Sequence, residues 1–306
     1  MLDYGIVGAV VGLFLVLSFT APNFATFDNL VNLLDQNAFL AVTAFAATLV
    51  IIAGGFDLSV GAIFAFAGVI AAWTAVHVSP ELALLAGLAT GALVGLVNGI
   101  LITGLRVHSF LITLAMGIIL TGLSLAVTGG QLINANEYAS FTWLGQEELI
   151  PEIPNPILVI VVSGLLLGFL LKNTTYGRYV YAVGGNAIAA RLAGVRVNYV
   201  LIITFVISGL MAAMAGLIEV SRNGTGQADP GNASGLALDA IAAVVIGGTS
   251  IMGGRGAIWR TALGVLLLAL IENGFNLLGV APEWRSIVSG VVIIAAVGLN
   301  ALGGRK

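Results

Sequence analysis

Three carboxylates interrupt long apolar runs of the sequence: Asp57, Asp239 and Glu272. A carboxylate in such surroundings needs water or a partner, and it can relay a proton, contact a solute or cap a turn. Asp57 follows the Gly54–Gly55 pair, where a helix can break. We expect its carboxylate to cap the turn that restarts the chain at Ser59, in preference to contacting a solute. A proton relay is the less favoured role for Glu272.

Neutral polar side chains extend this pattern. Asn273 and Asn276 are three residues apart on one helical face, so they can line a route for a hydroxylated solute. They can equally form hydrogen bonds between helices, and the sequence leaves both interpretations open. Asn98 and Thr113 occupy two other apolar runs. The candidates for a solute path are Asp57, Ser59, Asn98, Thr113, Asn273 and Asn276.

The sequence offers little support for an enzymatic function. The two histidines, His77 and His108, lie near opposite ends of apolar runs, and neither HExxH nor GxSxG occurs. A serine or zinc hydrolase would therefore lack its base or its ligands. The phosphate-binding pattern GxxxxGK[ST] is absent, and the chain has no cysteine. We expect no catalytic residue, no metal and no cofactor bound by this chain, and no nucleic-acid partner.

The composition indicates what solvates the chain. Of its 306 residues, 59% are hydrophobic and only 8% are charged, against about 25% in soluble domains. Lipid must cover most of the surface, so we predict an all-α integral membrane protein with one domain, 1–306. About 20 apolar residues cross a bilayer, and ten runs fit that length. They are 4–21, 37–53, 59–76, 82–104, 109–127, 156–171, 199–220, 236–252, 257–279 and 285–302.

The basic residues favour one orientation. With ten crossings and the N-terminus inside, nine of the eleven Lys and Arg residues face the cytoplasm and two face outward. If 236–252, which contains a Gly-Gly pair, turned back, the split would be six against five. We therefore predict both termini inside. The outer segments 128–155 and 221–235 are either connectors or docking surfaces, and 128–155 has room for a short surface helix.

The longest inner loop, 172–198, carries four of the basic residues. Asn186 can cap a short helix over about 187–194, and Gly194 can end it. A helix this short is only marginally stable in isolation. Packing against another surface must therefore hold it. We interpret this loop as a docking site for a soluble partner, with an inert connector as the less favoured alternative.

Glycines also form patterns. Four of them recur every fourth residue within 82–104, which is typical of close helix packing: Gly87, Gly91, Gly95 and Gly99. Segments 54–69 and 247–265 echo each other, since each begins with Gly-Gly at a predicted inner helix end and then restarts. The echo is consistent with a duplicated five-helix unit.

Several motifs resemble one family. The segment GRYVYAVGGNAIAARLAGVRV resembles the cytoplasmic coupling loop of ribose-type (monosaccharide) permeases of ATP-binding-cassette (ABC) importers. Also similar are GGFDLSVGAIFAFAG, GLVNGILITGLRVHSFLITLAMGIILTGLSLAVTGG and LDAIAAVVIGGTSIMGGRGAIWRTALGVLLLALIENGFNLLGV. The likeness follows the chain in order over nearly its whole length.

This resemblance implies a bacterial inner-membrane permease that works with other subunits. In the family, the helix in the loop after the sixth span sits in a cleft of an ABC ATPase, which binds ATP and Mg. The matching contact positions here are Asn186, Ala189, Ala190, Arg191, Leu192, Ala193 and Gly194. A second permease subunit and an extracytoplasmic solute-binding protein complete the implied system.

The resemblance favours an importer for a sugar or sugar-like solute that operates by alternating access. One alternative is a ten-helix secondary transporter driven by an ion gradient, in which Glu272 or Asp57 would titrate. Another is a membrane scaffold that transports nothing. Among solutes, pentoses, hexoses, polyols, nucleoside-like compounds and autoinducers stay open.

Overall fold

The structure, a computed structural model, describes residues 5–229, 231, 233–281, 284, 287, 290 and 291. The described helices are α1 (Gly5–Thr20), α2 (Phe27–Gln36), α3 (Ala38–Ile52), α4 (Val60–His77), α5 (Pro80–Leu105), α6 (Ser109–Thr128), α7 (Ala139–Gln146), α8 (Asn155–Asn173), α9 (Thr175–Gly185), α10 (Ala187–Leu192), α11 (Val197–Asn223), α12 (Ala233–Ile246) and α13 (Ile258–Leu277). Two short strands, β1 (Ile133–Asn134) and β2 (Thr225–Gly226), pair antiparallel.

Apolar helices dominate, as an all-α membrane protein requires. Among the described residues, α4, α5, α6, α8, α11 and α13 are long and apolar enough to cross a bilayer. Helices α2 and α3 meet at a 51° bend and make a seventh crossing if they form one span. The all-α membrane class is thus confirmed, whereas ten crossings and the inward termini stay predictions. The tenth predicted span, 285–302, lies outside the continuous described region.

One predicted span needs correction. The eighth, 236–252, corresponds to α12, which begins at Ala233 and already ends at Ile246. Gly248 follows with a φ of +84°, a left-handed conformation that favours glycine and stops a helix. The other predicted spans within the described region agree with helix ends to within three residues. Apolar runs therefore located the helices well, except where glycines end one early.

Helix α11 is the centre of the packing and contacts α3, α4 and α5. Its closest neighbour is α5, along the glycine seam. A Cβ at Gly91 would overlap the carbonyl oxygen of Gly209, and a Cβ at Gly209 would overlap that of Gly91. The two backbones touch directly there, so the predicted packing role of the seam is confirmed.

The segment 128–155 contains the expected short helix, α7. The Gly145 amide donates to Ser221 Oγ over 2.8 Å, which ties α7 to the end of α11. On the same end of α11, Arg222 forms an ion pair with Asp35 (3.0 Å) and lies 3.7 Å from Glu219. This end of the molecule is held by polar contacts between elements that are distant in sequence.

Candidate functional site

Helix α10 forms for the local reasons that the sequence indicates. The Asn186 Oδ1 accepts hydrogen bonds from the amides of Ile188 and Ala189, both at 3.0 Å. Two otherwise unpaired amides at the N-terminus are thereby satisfied. Gly194, with a φ of +87°, turns the chain back after the last helical residue, Leu192. The cap is confirmed, and the helix is two residues shorter than predicted.

The outward face of α10 is exposed. Ile188 is 75% exposed and Leu192 86% exposed, although both are large and apolar. Six of the predicted contact residues are exposed: Asn186, Ala189, Arg191, Leu192, Ala193 and Gly194. Ala190 differs, since it is 6% exposed and packs into the main core. Ala190 therefore packs α10 against the core, and the six exposed residues form the surface that a partner could contact.

Helix α9, which the sequence did not predict, anchors α10 to the membrane helices. The hydroxyl oxygens of Tyr176 and Thr204 on α11 are 2.8 Å apart. The Tyr181 hydroxyl donates to the carbonyl oxygen of Gly256 over 2.8 Å. Burial raises the pKa of Tyr176 to about 12, although its hydrogen bond to Thr204 opposes this shift. Burial also raises the pKa of Tyr181, although the charge of Arg260 opposes this shift. Both tyrosines therefore stay protonated at neutral pH and serve as fixed hydrogen-bonding anchors.

Three glycine-rich turns meet where α9 ends, and we call Gly54, Gly184, Gly253 and Gly254 the glycine junction. The Gly254 amide donates to the carbonyl oxygen of Ile52, the last residue of α3, over 2.9 Å. A Cβ at Gly184 would overlap that same oxygen and lie 2.8 Å from the Gly254 nitrogen. The two echoing segments noted in the sequence thus meet at the end of α9, directly before α10. Whether they mark a duplication stays a prediction.

A positively charged cavity lies beside α10. Its volume is about 550 Å³, and Arg106, Arg191 and Arg196 line it. These arginines come from the end of α5, from α10 and from the start of α11. Within the described part of the chain, no carboxylate forms a salt bridge with them. The surface around α10 is therefore suited to an acidic partner.

Asp57 lies in the break between α3 and α4, within a closed polar network. Its Oδ1 accepts from the Ser59 amide (3.0 Å) and the Ser59 hydroxyl (2.5 Å). Its Oδ2 accepts from the Ser208 hydroxyl on α11 at 2.8 Å. Asn98 on α5 donates to Ser59 Oγ at 2.9 Å. This geometry supports the interpretation of Asp57 as a structural cap, because its carboxylate is enclosed by donors from its own chain.

The neighbouring candidates are equally buried. Thr113 Oγ1 accepts from the Leu58 amide at 3.0 Å, and Ser109 Oγ accepts from the Phe56 amide at 2.9 Å. These bonds satisfy backbone amides that the break in the helix leaves unpaired. The structure thus brings Asp57, Ser59, Asn98 and Thr113 together, and their role in a solute path stays a prediction.

Replacement of Asp57 by Ala is expected to destabilise the fold. The Ser59 amide and the Ser208 hydroxyl would lose their acceptor, at a cost of about 1–3 kcal/mol for each buried group left unpaired. Thermal unfolding in detergent, followed by tryptophan fluorescence, would measure this loss. The Asp57→Asn side chain keeps most of the shape of aspartate and an acceptor for Ser59. This variant should therefore fold and function as the wild-type protein does. Loss of activity in a fully stable Asp57→Asn variant would contradict a purely structural role.

The remaining two candidates, Asn273 and Asn276, lie about 23 and 27 Å along α13 from its start at Ile258, near the end of the helix. Asn273 exchanges two hydrogen bonds with Asn29 on α2, at 3.1 and 2.9 Å. Asn273 and Asn276 both line a cavity of about 380 Å³, which Asn32 and Gln36 of α2 also line. The sequence analysis missed these α2 residues. A sequence signal for α2 itself was present, since Thr26 is a favourable N-cap residue and caps this helix.

Known transport proteins are similar to this chain over most of its length. Residues 29–297 match the family described as branched-chain amino acid transport system / permease component. The chain belongs to this permease family. The permease is 41% identical to the ribose import permease protein RbsC of Escherichia coli K12, over 94% of this chain and 90% of that one. It is 40% identical to RbsC of Bacillus subtilis 168 (96% and 92%) and 38% identical to the galactofuranose transporter permease protein YtfT of Escherichia coli K12 (94% and 87%).

Membership in this family establishes the general role of the chain. The permease is a membrane-spanning subunit of an ABC importer, located in the bacterial cytoplasmic membrane, and it is a transport subunit, not an enzyme. The family gives no support to the alternative of a transporter driven by an ion gradient. No solved structure matches the permease.

Proposed function

We propose that the permease imports a sugar or a sugar-like polar solute. One observation carries this proposal: relatives that are 38–41% identical over nearly the full length are named for ribose or galactofuranose import. The family description mentions branched-chain amino acids, whereas these individual relatives are named for sugars. A hydroxylated solute also agrees with the polar chemistry of the permease, whose cavity between α2 and α13 is lined by side-chain amides.

Helix α10 would be the coupling helix, and it would dock on a separate ABC ATPase that binds ATP and Mg. Its support is the exposed apolar pair Ile188 and Leu192 beside the arginine-lined cavity. An apolar anchor surrounded by positive charge fits a cleft with an acidic rim. Helix α9 and the glycine junction would transmit the motion of the ATPase to two turns, one between α3 and α4 and one between α12 and α13.

Alternating access would follow from this connection. The predicted orientation, with both ends inside, would put α10 in the cytoplasm and α7 outside, where a soluble binding protein would deliver the solute. Two permease subunits would enclose the path. Rocking of packed helices would then open the path to one side at a time.

Reconstitution tests this function. The permease would be placed in liposomes with its ATPase inside and its binding protein outside. Uptake of radiolabelled D-ribose should then require ATP, the ATPase and the binding protein together. Unlabelled galactose, leucine and xylitol, added in excess, would show which class of solute competes.

Two results would count against the proposal. Uptake driven by a pH gradient in the isolated permease would revive the ion-coupled mechanism. Competition by leucine, with none by any sugar or polyol, would move the solute class to amino acids.

A further inference from the structure

The cavity between α2 and α13 has a composition unlike the rest of the apolar helices. Five side-chain amides and one carboxylate line it: Asn32, Gln36, Asn37, Asn273, Asn276 and Glu272. We call these six residues the amide groove. Its volume of about 380 Å³ lies within the range of small-molecule sites, about 300–1,000 Å³.

The two walls of the groove are fixed relative to each other. Asn29 and Asn273 exchange hydrogen bonds across the two helices at 3.1 and 2.9 Å. On α2, Asn32 and Gln36 follow Asn29 at spacings of three and seven residues, so all three share a helical face. The amides therefore have defined positions before any ligand arrives, which lowers the cost of binding.

The groove is unsuited to contact with lipid. Glu272 and Asn276 lie on α13, one of the helices that are long and apolar enough to cross a bilayer. Both residues are exposed on the permease surface, as is Gln36 at the end of α2. Polar and charged groups on a membrane-spanning helix face water or another protein segment in place of lipid, because their transfer into hydrocarbon is costly.

The chemistry of the lining matches a solute with several hydroxyl groups. Each side-chain amide presents donors and an acceptor, and a hydroxyl group both donates and accepts. Phe39, Leu33 and Ala269 add an apolar wall suited to the carbon face of a sugar ring. The Asp57 carboxylate offers nothing comparable, since both of its oxygens already accept hydrogen bonds from their own chain.

We propose that the amide groove is a water-filled section of the solute path, where its amides contact a hydroxylated solute during transport. The nature of the solute rests on the proposed function, whereas access of water to the groove can be tested without it.

The first arm of the test measures access of water. The chain has no cysteine, so Gln36→Cys and Asn276→Cys each introduce a single reactive thiol. The complete transporter in nanodiscs would be treated with a charged, membrane-impermeant thiosulfonate, without nucleotide and after trapping with ATP and vanadate. Both thiols should react in one state and lose their reactivity in the other. Leu165→Cys, at a site on α8 that is 70% exposed, should not react in either state, because lipid covers it.

The second arm measures contact with the solute. Gln36→Leu and Asn276→Leu remove an amide and nearly keep its size, so each should lower D-ribose uptake about fivefold, the effect of one lost hydrogen bond. Basal ATP hydrolysis, measured in parallel, would show whether each variant still assembles with its ATPase. Gln131→Leu, an exposed amide in the outer loop, is the matched control and should transport normally.

Either of two results would overturn the groove assignment. One is reactivity at positions 36 and 276 as low as at position 165 in both states. The other is unchanged D-ribose uptake in both leucine variants. If the wild-type transporter takes up no D-ribose, the proposed solute is wrong, and the thiol reactions still decide whether the groove holds water.

Discussion

The double variant Arg191→Glu, Leu192→Asp is expected to abolish ATP-dependent uptake while the permease stays folded. Both side chains are exposed on α10, so the change leaves the packing of the chain intact. Leu192 would anchor the ATPase through apolar contact, and Arg191 through its charge. Loss of a central interface residue costs about 2 kcal/mol or more, so two such losses lower ATPase affinity by about a thousandfold. Co-purification of the ATPase and liposome uptake would measure both effects.

The matched control is Arg178→Glu with Tyr179→Asp. It makes the same changes of charge and polarity on exposed residues of α9, one helix earlier. This control should retain the ATPase. Intact coupled uptake in the α10 variant would show that the ATPase docks elsewhere.

The second large effect is expected at the glycine junction. In Gly184→Ala, the new Cβ would overlap the Ile52 carbonyl oxygen and press on the Gly254 nitrogen. Both are backbone atoms, so α9 must move away from the end of α3 and from the turn between α12 and α13. Overpacking of this kind costs about 1–3 kcal/mol. We expect a lower unfolding temperature and uptake far below wild type, because α10 loses its fixed connection to the spans.

Gly185→Ala is the control for the neighbouring position. No atom lies within 4 Å of a Cβ placed there, and alanine favours a helix, so stability should be equal to or above wild type. A Gly184→Ala variant with wild-type stability and uptake would show that close backbone contact at the junction is dispensable. Thermal unfolding and uptake of the two variants would be measured side by side.

Features with a local cause were predictable from the sequence. Apolar runs of about 20 residues gave the spans α3 to α6, α8, α11 and α13, because lipid tolerates only such runs. Asn186 and Gly194 gave α10, since capping depends on neighbouring residues alone. Among the site candidates, the sequence also favoured the capping role of Asp57.

Features that depend on distant residues were not predictable. Helix α9 contains three glycines and several residues of low helix propensity, and it forms because Val180 and Val183 are buried against other helices. The groove became visible only when α2 was placed beside α13, 244 residues away at the Asn29–Asn273 pair. No spacing rule connects such partners. Pairings of this kind arise from helix packing, which a single sequence does not encode locally.

The Asp57 network has a consequence for biosynthesis. Ser208, which donates to one oxygen of the carboxylate, follows Asp57 by 151 residues. At a translation rate of about 5–20 residues per second, the acid waits about 8–30 s for that partner. We therefore expect the turn that holds Asp57 to stay in contact with water until α11 emerges. A ribosome stalled before Ser208 should yield a chain in which this turn stays open and which is rapidly degraded.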